Sequence, residues 1–208
     1  DVERSRGLGD VYKRQGVYLM NKGLIEAKHW VALAENKVKC NLCHRRCIIS
    51  EGATGVCGVR KNINGKLYTL VYGKLTSANI DPIEKKPLFH FNPGAGVLSI
   101  STVGCNFMCK FCCNWVISQM KDIVGRSTTP DEVVNWAIKY GANGISYTYN
   151  EPTIFYEFML DTAKIAKKAR PTVKPRPIAN LRAESFFLFK YSSRPNPARI
   201  AIEKHTPK

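Results

Sequence analysis

Three cysteines within eight residues, Cys105, Cys109 and Cys112, directly follow the apolar run Val97-Leu98-Ser99-Ile100-Ser101-Thr102-Val103. A C-x3-C-x2-C loop this short is shaped by whatever its thiolates bind. Three such donors can hold three irons of a cuboidal iron–sulfur cluster and leave the fourth iron without a protein ligand. Two other readings stay open on the residues alone. Tetrahedral zinc needs a fourth donor, and Cys113, adjacent to Cys112, points elsewhere. Reduced, buried thiols need no metal at all.

All eight cysteines fall into two groups, Cys40, Cys43, Cys47, Cys57 and Cys105, Cys109, Cys112, Cys113. Gaps of two and three residues, in a chain without a basic-then-apolar signal segment, point to metal binding in a reducing cytoplasm rather than to disulfides. The first group reads C-x2-C-x3-C-x9-C, with Gly52 and Gly55 in the reversal that brings the chain back. Four thiolates suit a structural zinc or a second iron–sulfur cluster, and spacing does not choose between them. His44 sits among these donors but reads as a surface residue.

The chain divides along its patterns. Residues 1–15 show neither helical nor strand period and are read as a non-native leader. A helix is expected within 16–37, from Leu24, Ile25, Ala27, Trp30, Val31 and Leu33 at helical spacing. Residues 38–92 read as a small four-cysteine metal-binding β module, with Asn64-Gly65 as a tight hairpin turn. Residues 93–168 alternate strand and helix. Val97–Val103 is a buried strand, and Thr128-Thr129-Pro130-Asp131-Glu132 starts a helix that Gly141 closes. Asn143–Tyr149 is a second strand, followed by a helix over Thr153–Ala169. This is an α/β chain with right-handed βαβ units of a parallel sheet. Residues 169–208 form a tail with six of the eleven prolines and none of the fifteen glycines. It reads as a frameshifted or fragment end near Lys168, with a disordered tail as the competing reading, and Ala183–Tyr191 as a lone apolar run.

The net charge of +16 raises the question of nucleic acid. Eight Lys or Arg against two Asp or Glu lie between Pro171 and Lys208, so much of the excess sits outside the motif-bearing region. No aromatic-interleaved basic helix accompanies the remainder, which counts against nucleic acid and suits an acidic protein partner. No apolar run is long enough to span a bilayer.

With an aromatic, Phe111, directly before the third cysteine, the C-x3-C-x2-C run resembles the signature of the radical SAM superfamily. Thr102-Val103-Gly104-Cys105-Asn106-Phe107, Asn114-Trp115 and Ile117-Ser118-Gln119 resemble the AmmeMemoRadiSam-system radical SAM enzymes, relatives of the pyruvate formate-lyase activating enzymes. The likeness covers roughly residues 20 to 168. Cys113 departs from it, standing where that group usually has Gln. The resemblance implies a partial radical SAM (β/α) barrel, truncated after about two βα units. It implies a [4Fe-4S] cluster on Cys105, Cys109 and Cys112, with S-adenosylmethionine as cofactor. Asn150-Glu151-Pro152 takes the position of a motif that holds the amino group of S-adenosylmethionine, which makes Asn150 and Glu151 cofactor-binding, and Phe111 is implied to pack beside the adenine. His90 falls in the bridge into the barrel, where a packed histidine is the default. The implied activity is reductive cleavage of S-adenosylmethionine to a 5′-deoxyadenosyl radical that abstracts hydrogen from a substrate, with a protein glycine suggested and a flavodoxin or ferredoxin as electron donor. No catalytic residue is assignable beyond the cluster. The contrasting class is a non-catalytic zinc or iron–sulfur protein that docks on an acidic partner or nucleic acid.

Overall fold

The structure is a computed structural model that describes residues 24–169 and the backbone of the short strand Leu188–Phe189. The leader over 1–15 and the tail, apart from Ala169 and that strand, lie outside the described residues.

Where a helix is expected over 16–37, the described part is two short strands, β1 (Ile25–Glu26) and β2 (Trp30–Ala32). Turn chemistry overrides the helical spacing. His29 takes φ 58° between the strands, and Glu35 and Asn36 take φ 57° and 53° in a reversal closed by Leu33 N donating to Lys37 O at 2.8 Å. The supposed helical stripe does not form a buried face, since Val31 and Leu33 are exposed. β2 pairs antiparallel with β3 (Val38–Cys40), which pairs with β4 (Ile48–Ile49).

The Asn64-Gly65 hairpin forms as expected. Both residues have positive φ, 52° and 72°, and they join β5 (Arg60–Ile63) to β6 (Lys66–Thr69) with Ile63 opposite Lys66. β1 lies on the other edge of β6. Ala27, Val38, Cys40, Ile49 and Leu67 form a small core between these two sheets.

Strand pairing runs across residue 92. β8 (Ser77–Pro82) pairs over its whole length with β9 (Gly96–Ser101) and so belongs to the main sheet. β7 (Lys74–Leu75) pairs with β10 (Arg126–Ser127), and Val59, Val71 and Leu75 lie in the main core. The N-terminal cysteine region and the βαβ region therefore share a hydrophobic interior.

The main sheet has the order β12-β11-β9-β8, where β11 is Ile145–Tyr147 and β12 is Leu188–Phe189. β9, β11 and β12 run parallel, and β8 is antiparallel at the edge. β12 comes from the run expected to have no barrel-like sequel, and its backbone extends the parallel sheet. Among the described residues the sheet is open and no closed barrel forms. Among the described residues the α-helices are α1 (Trp115–Ser118), α2 (Pro130–Lys139) and α3 (Tyr156–Ala169). A capping box starts α2: the Thr129 hydroxyl accepts from Glu132 N, and the Glu132 carboxylate accepts from Thr129 N.

Strand alternation divides the sheet into two unlike faces. Leu98, Ile100, Ile145 and Tyr147 pack with Val133, Val134, Ala137, Phe155 and Phe158 of the helix layer. The opposite face carries Ser99, Ser101 and Ser146, with Asn79 and Asp81 of β8 in register opposite Ser99 and Val97.

Candidate functional site

The cysteine loop leaves β9 at its carboxyl end. Gly104 takes φ 85° and donates its N–H to Ile117 O at 2.9 Å, so the chain turns sharply and α1 folds back beneath it. Gln119 Nε2 donates to Phe107 O at 2.9 Å, and the Ser118 hydroxyl stands 3.4 Å from the Cys112 sulfur. Cys105 is buried, Cys109 and Cys112 are half-buried, and Cys113 is exposed, in keeping with its pointing away from the others. Burial pushes the Cys105 thiol up, opposed by the backbone N–H groups of Phe107 and Glu151, which donate to its sulfur. Amides aimed at sulfur are what a thiolate ligand requires once burial disfavours its charge.

Asn150 and Glu151 lie past the carboxyl end of β11, beside that loop. Asn150 Nδ2 donates to Thr102 O at 2.6 Å and Gly104 O at 2.8 Å, so its side chain bridges the two strand ends and presents the carbonyl oxygen as acceptor. Glu151 is 4% exposed and caps the turn Pro152–Phe155, one carboxylate oxygen accepting from Thr153 N at 3.3 Å. Phe111 is 59% exposed on the loop's outer side. His90, expected to be packed, is exposed because the bridge 88–92 buries Leu88 and Phe91 instead. His44 is exposed, as expected.

The first cysteine group adjoins this loop. Arg45 Nε donates to Asn106 O at 3.1 Å, and the His44 ring stands 5.3 Å from that of Phe107. Cys40 is buried, and Cys43, Cys47 and Cys57 are half-buried. Burial pushes the Cys57 thiol up to about 11, with the Val59 N–H and Arg60 lowering it and the nearby Cys40 and Cys43 raising it further. Among the described residues, no three His, Cys, Asp or Glu side chains converge closely enough to hold a metal ion. Cys40, Cys43, Cys47 and Cys57 are thus neighbours without forming a tetrahedral cage as their side chains stand. The Cys105 loop fits a cuboidal cluster by its donor chemistry: each thiolate of such a cluster binds a different iron, so the three need not converge on one point.

Residues that the motifs do not mark complete the surroundings. Asp81, Lys86 and Tyr149 form a cluster beside Asn150, and Arg60 and Glu157 form a buried ion pair under the first cysteine group. A positive φ at a bulky residue, Tyr149 at 69°, is visible only in three dimensions.

The family model of the radical SAM superfamily matches residues 99–197. An uncharacterized protein of Methanocaldococcus jannaschii, MJ0808, is 54% identical over 145 residues, covering 69% of this chain and 44% of that protein. The chain thus spans less than half the length of this relative. No solved structure gives a significant match. The family match, lying over the β9 strand, the cysteine loop and the Asn150-Glu151 turn, supports placing this part of the chain in the radical SAM superfamily.

Proposed function

We propose that the chain is the cluster-binding part of a radical SAM enzyme of the AmmeMemoRadiSam kind, related to the pyruvate formate-lyase activating enzymes. In this reading Cys105, Cys109 and Cys112 hold a [4Fe-4S] cluster, and S-adenosylmethionine binds beside it. The observation that carries the reading is the junction at the carboxyl ends of β9 and β11. There the Asn150 amide group donates to Thr102 O at 2.6 Å and to Gly104 O at 2.8 Å, which ties the turn past β11 to the strand end that launches the cysteine loop. When bound and reduced, the cluster and S-adenosylmethionine supply a one-electron cleavage of the sulfonium and a carbon radical able to abstract hydrogen.

The residues of this chain do the rest. Asn150 offers an oxygen acceptor to the cationic ammonium of the nucleotide, with the Glu151 carboxylate adding negative charge next to it. Phe111 flanks the adenine from the exposed side of the loop. Buried Val103, Cys105 and Asn106 keep solvent from the inner side of the cluster. Cys40, Cys43, Cys47 and Cys57 would supply the donors of a second site for zinc or a further cluster, their side chains drawing in from where they stand. An acidic electron donor such as a flavodoxin or ferredoxin suits the positive chain, and a protein serves as hydrogen donor.

Anaerobic reconstitution with iron and sulfide tests the reading. It predicts a brown protein with about four irons on the central loop, and formation of 5′-deoxyadenosine from S-adenosylmethionine under reducing conditions. Cys105→Ala, Cys109→Ala or Cys112→Ala abolishes both. A colourless protein that takes up only zinc, or a cysteine variant that still cleaves S-adenosylmethionine, overturns it.

A further inference from the structure

Tyr149 immediately precedes Asn150-Glu151 and takes φ 69°, a conformation that costs a bulky residue free energy and that Gly or Asn would adopt more easily. Its side chain shows what holds it there. The Tyr149 hydroxyl donates to Asp81 Oδ2 at 2.7 Å, and the same oxygen accepts from Lys86 Nζ at 2.8 Å. Lys86 also stands over the Tyr149 ring, 5.3 Å from its centre. Asp81 and Lys86 are 5% and 7% exposed, so these contacts are made largely out of water, where polar interactions are strong. Asp81 is fixed from its other oxygen by Lys85 Nζ at 2.9 Å. The cluster thus ties the last strained residue of the β11 end to β8, the antiparallel edge of the sheet.

On the other side of Tyr149, the Asn150 side chain donates to Thr102 O and Gly104 O. The turn therefore has two points of attachment, one to the cysteine loop and one through Tyr149 to Asp81 and Lys86.

We propose that Asp81, Lys86 and Tyr149 are positioning residues: they hold the strained Tyr149 so that Asn150 and Glu151 stay in register with the Cys105 loop and thereby set the affinity for S-adenosylmethionine. This rests on the reading of Asn150-Glu151 as the nucleotide-binding turn. Nothing in the cysteine motif marks these three residues. Their effect is to exchange a backbone that would otherwise sample several conformations for one that is already arranged, which lowers the entropy lost on binding.

The test uses the complete chain, reconstituted anaerobically with iron and sulfide. Tyr149→Phe keeps the ring and its contact with Lys86 and removes only the hydroxyl donor. Asp81→Asn is the second variant, and the two are combined in a double variant. Iron and sulfide content and the cluster spectrum are expected to match the parent, while S-adenosylmethionine binding, read by equilibrium dialysis, weakens roughly tenfold in Tyr149→Phe. Because both changes break one link, the double variant loses little more than the worse single variant. Hydrogen exchange gives a readout that needs no nucleotide: the amides of Asn150, Glu151 and Thr153 exchange about tenfold faster in Tyr149→Phe, while those of β9 and α3 keep their protection. Unchanged exchange at Asn150, Glu151 and Thr153, exchange that rises equally throughout the protein, or additive losses in the double variant overturns the inference. If the parent protein binds a cluster but no S-adenosylmethionine, the reading of the turn as a nucleotide site falls, and so does the effect on affinity. The exchange result then separately reports whether the anchor holds the turn.

Discussion

The carbonyl oxygen of Cys57 lies 2.6 Å from the point that a Cβ on Gly104 would occupy, and Val59 Cγ1 lies 2.5 Å from it. The backbone that precedes the first cysteine of the central loop is therefore pressed against the last cysteine of the N-terminal group. Gly104 also has φ 85°, so a side chain there meets both a clash with fixed backbone and an unfavourable torsion. Gly104→Ala is expected to destabilise the protein by roughly 1–3 kcal/mol from strain, with the clash added. Melting temperature and reconstituted iron content should fall together. A variant that melts with the parent and loads the same iron would show that the loop has room to give.

Arg60 and Glu157 are joined in an ion pair with both side chains 2% exposed, and it ties β5 to α3. Arg60 also donates to Lys28 O at 3.1 Å and approaches the Cys40 sulfur at 3.7 Å, and Glu157 accepts from Lys28 N at 2.7 Å. Among the described residues Arg60 Nε and Glu157 Oε2 have no hydrogen-bond partner, so the pair is incompletely compensated for its desolvation. Removing one charge strands the other: Glu157→Gln or Arg60→Met is expected to cost about 3–5 kcal/mol in denaturant unfolding. Replacing both with apolar residues of similar volume should recover most of that loss. A double variant as unstable as the sum of the singles would mean that Arg60 and Glu157 act independently, and that neither single loss comes from stranding the partner's charge.

Thr129 and Glu132 satisfy each other's backbone N–H groups at the start of α2, whose Val133, Val134 and Ala137 sit in the main core. Thr129→Ala removes the hydroxyl acceptor and is expected to cost about 1 kcal/mol. Thr129→Ser keeps it and should stay within a few tenths of the parent. Thermal melts of the two variants check this, and equal losses in both would point to packing of the Thr129 methyl instead.

These features differ in how far they can be read from the chain. The Thr129–Glu132 box and the Asn64-Gly65 turn are local: each is complete within four residues, and its geometry follows from the residue types. The run ending at Val103 is legible as a buried strand, although its interior serines face a polar side of the sheet. β1 and β2 are hidden because Trp30, Val31 and Leu33 fit a helical spacing as well as a strand, and the deciding torsions at His29, Glu35 and Asn36 are not marked by Gly. β8 falls by its local pattern within the four-cysteine β module, because its partner β9 begins only after the intervening bridge, and strand pairing at that separation leaves no local trace. The Cys105 loop and Asn150-Glu151 are visible as motifs, whereas Asp81 with Tyr149 and Arg60 with Glu157 are separated by 68 and 97 positions. Such pairs depend on the assembled sheet and cannot be seen in any window of the sequence.

Asp81 makes a prediction in acid. Burial would raise its carboxyl, but hydrogen bonds from Lys86, Tyr149 and Lys85 outweigh this and hold it well below the ordinary carboxylate range. A folded-state value below the unfolded one, about 4, means that the unfolded chain binds the proton first as pH falls. The stabilisation from Asp81 is therefore fully present above about pH 4 and is lost as pH drops toward the folded value. Asp81→Asn should be less stable than the parent at neutral pH, with the difference shrinking steadily below about pH 4 because the variant has no proton to take up there. Glu84 and Asp161, also held low, contribute the same slope to both proteins and cancel in the comparison. Denaturant unfolding of parent and variant from pH 7 to pH 2 measures the gap. A gap that stays constant to the acid limit would mean that Asp81 ionises in the folded protein as it does in the unfolded chain, and that Lys86 and Tyr149 gain nothing from its charge.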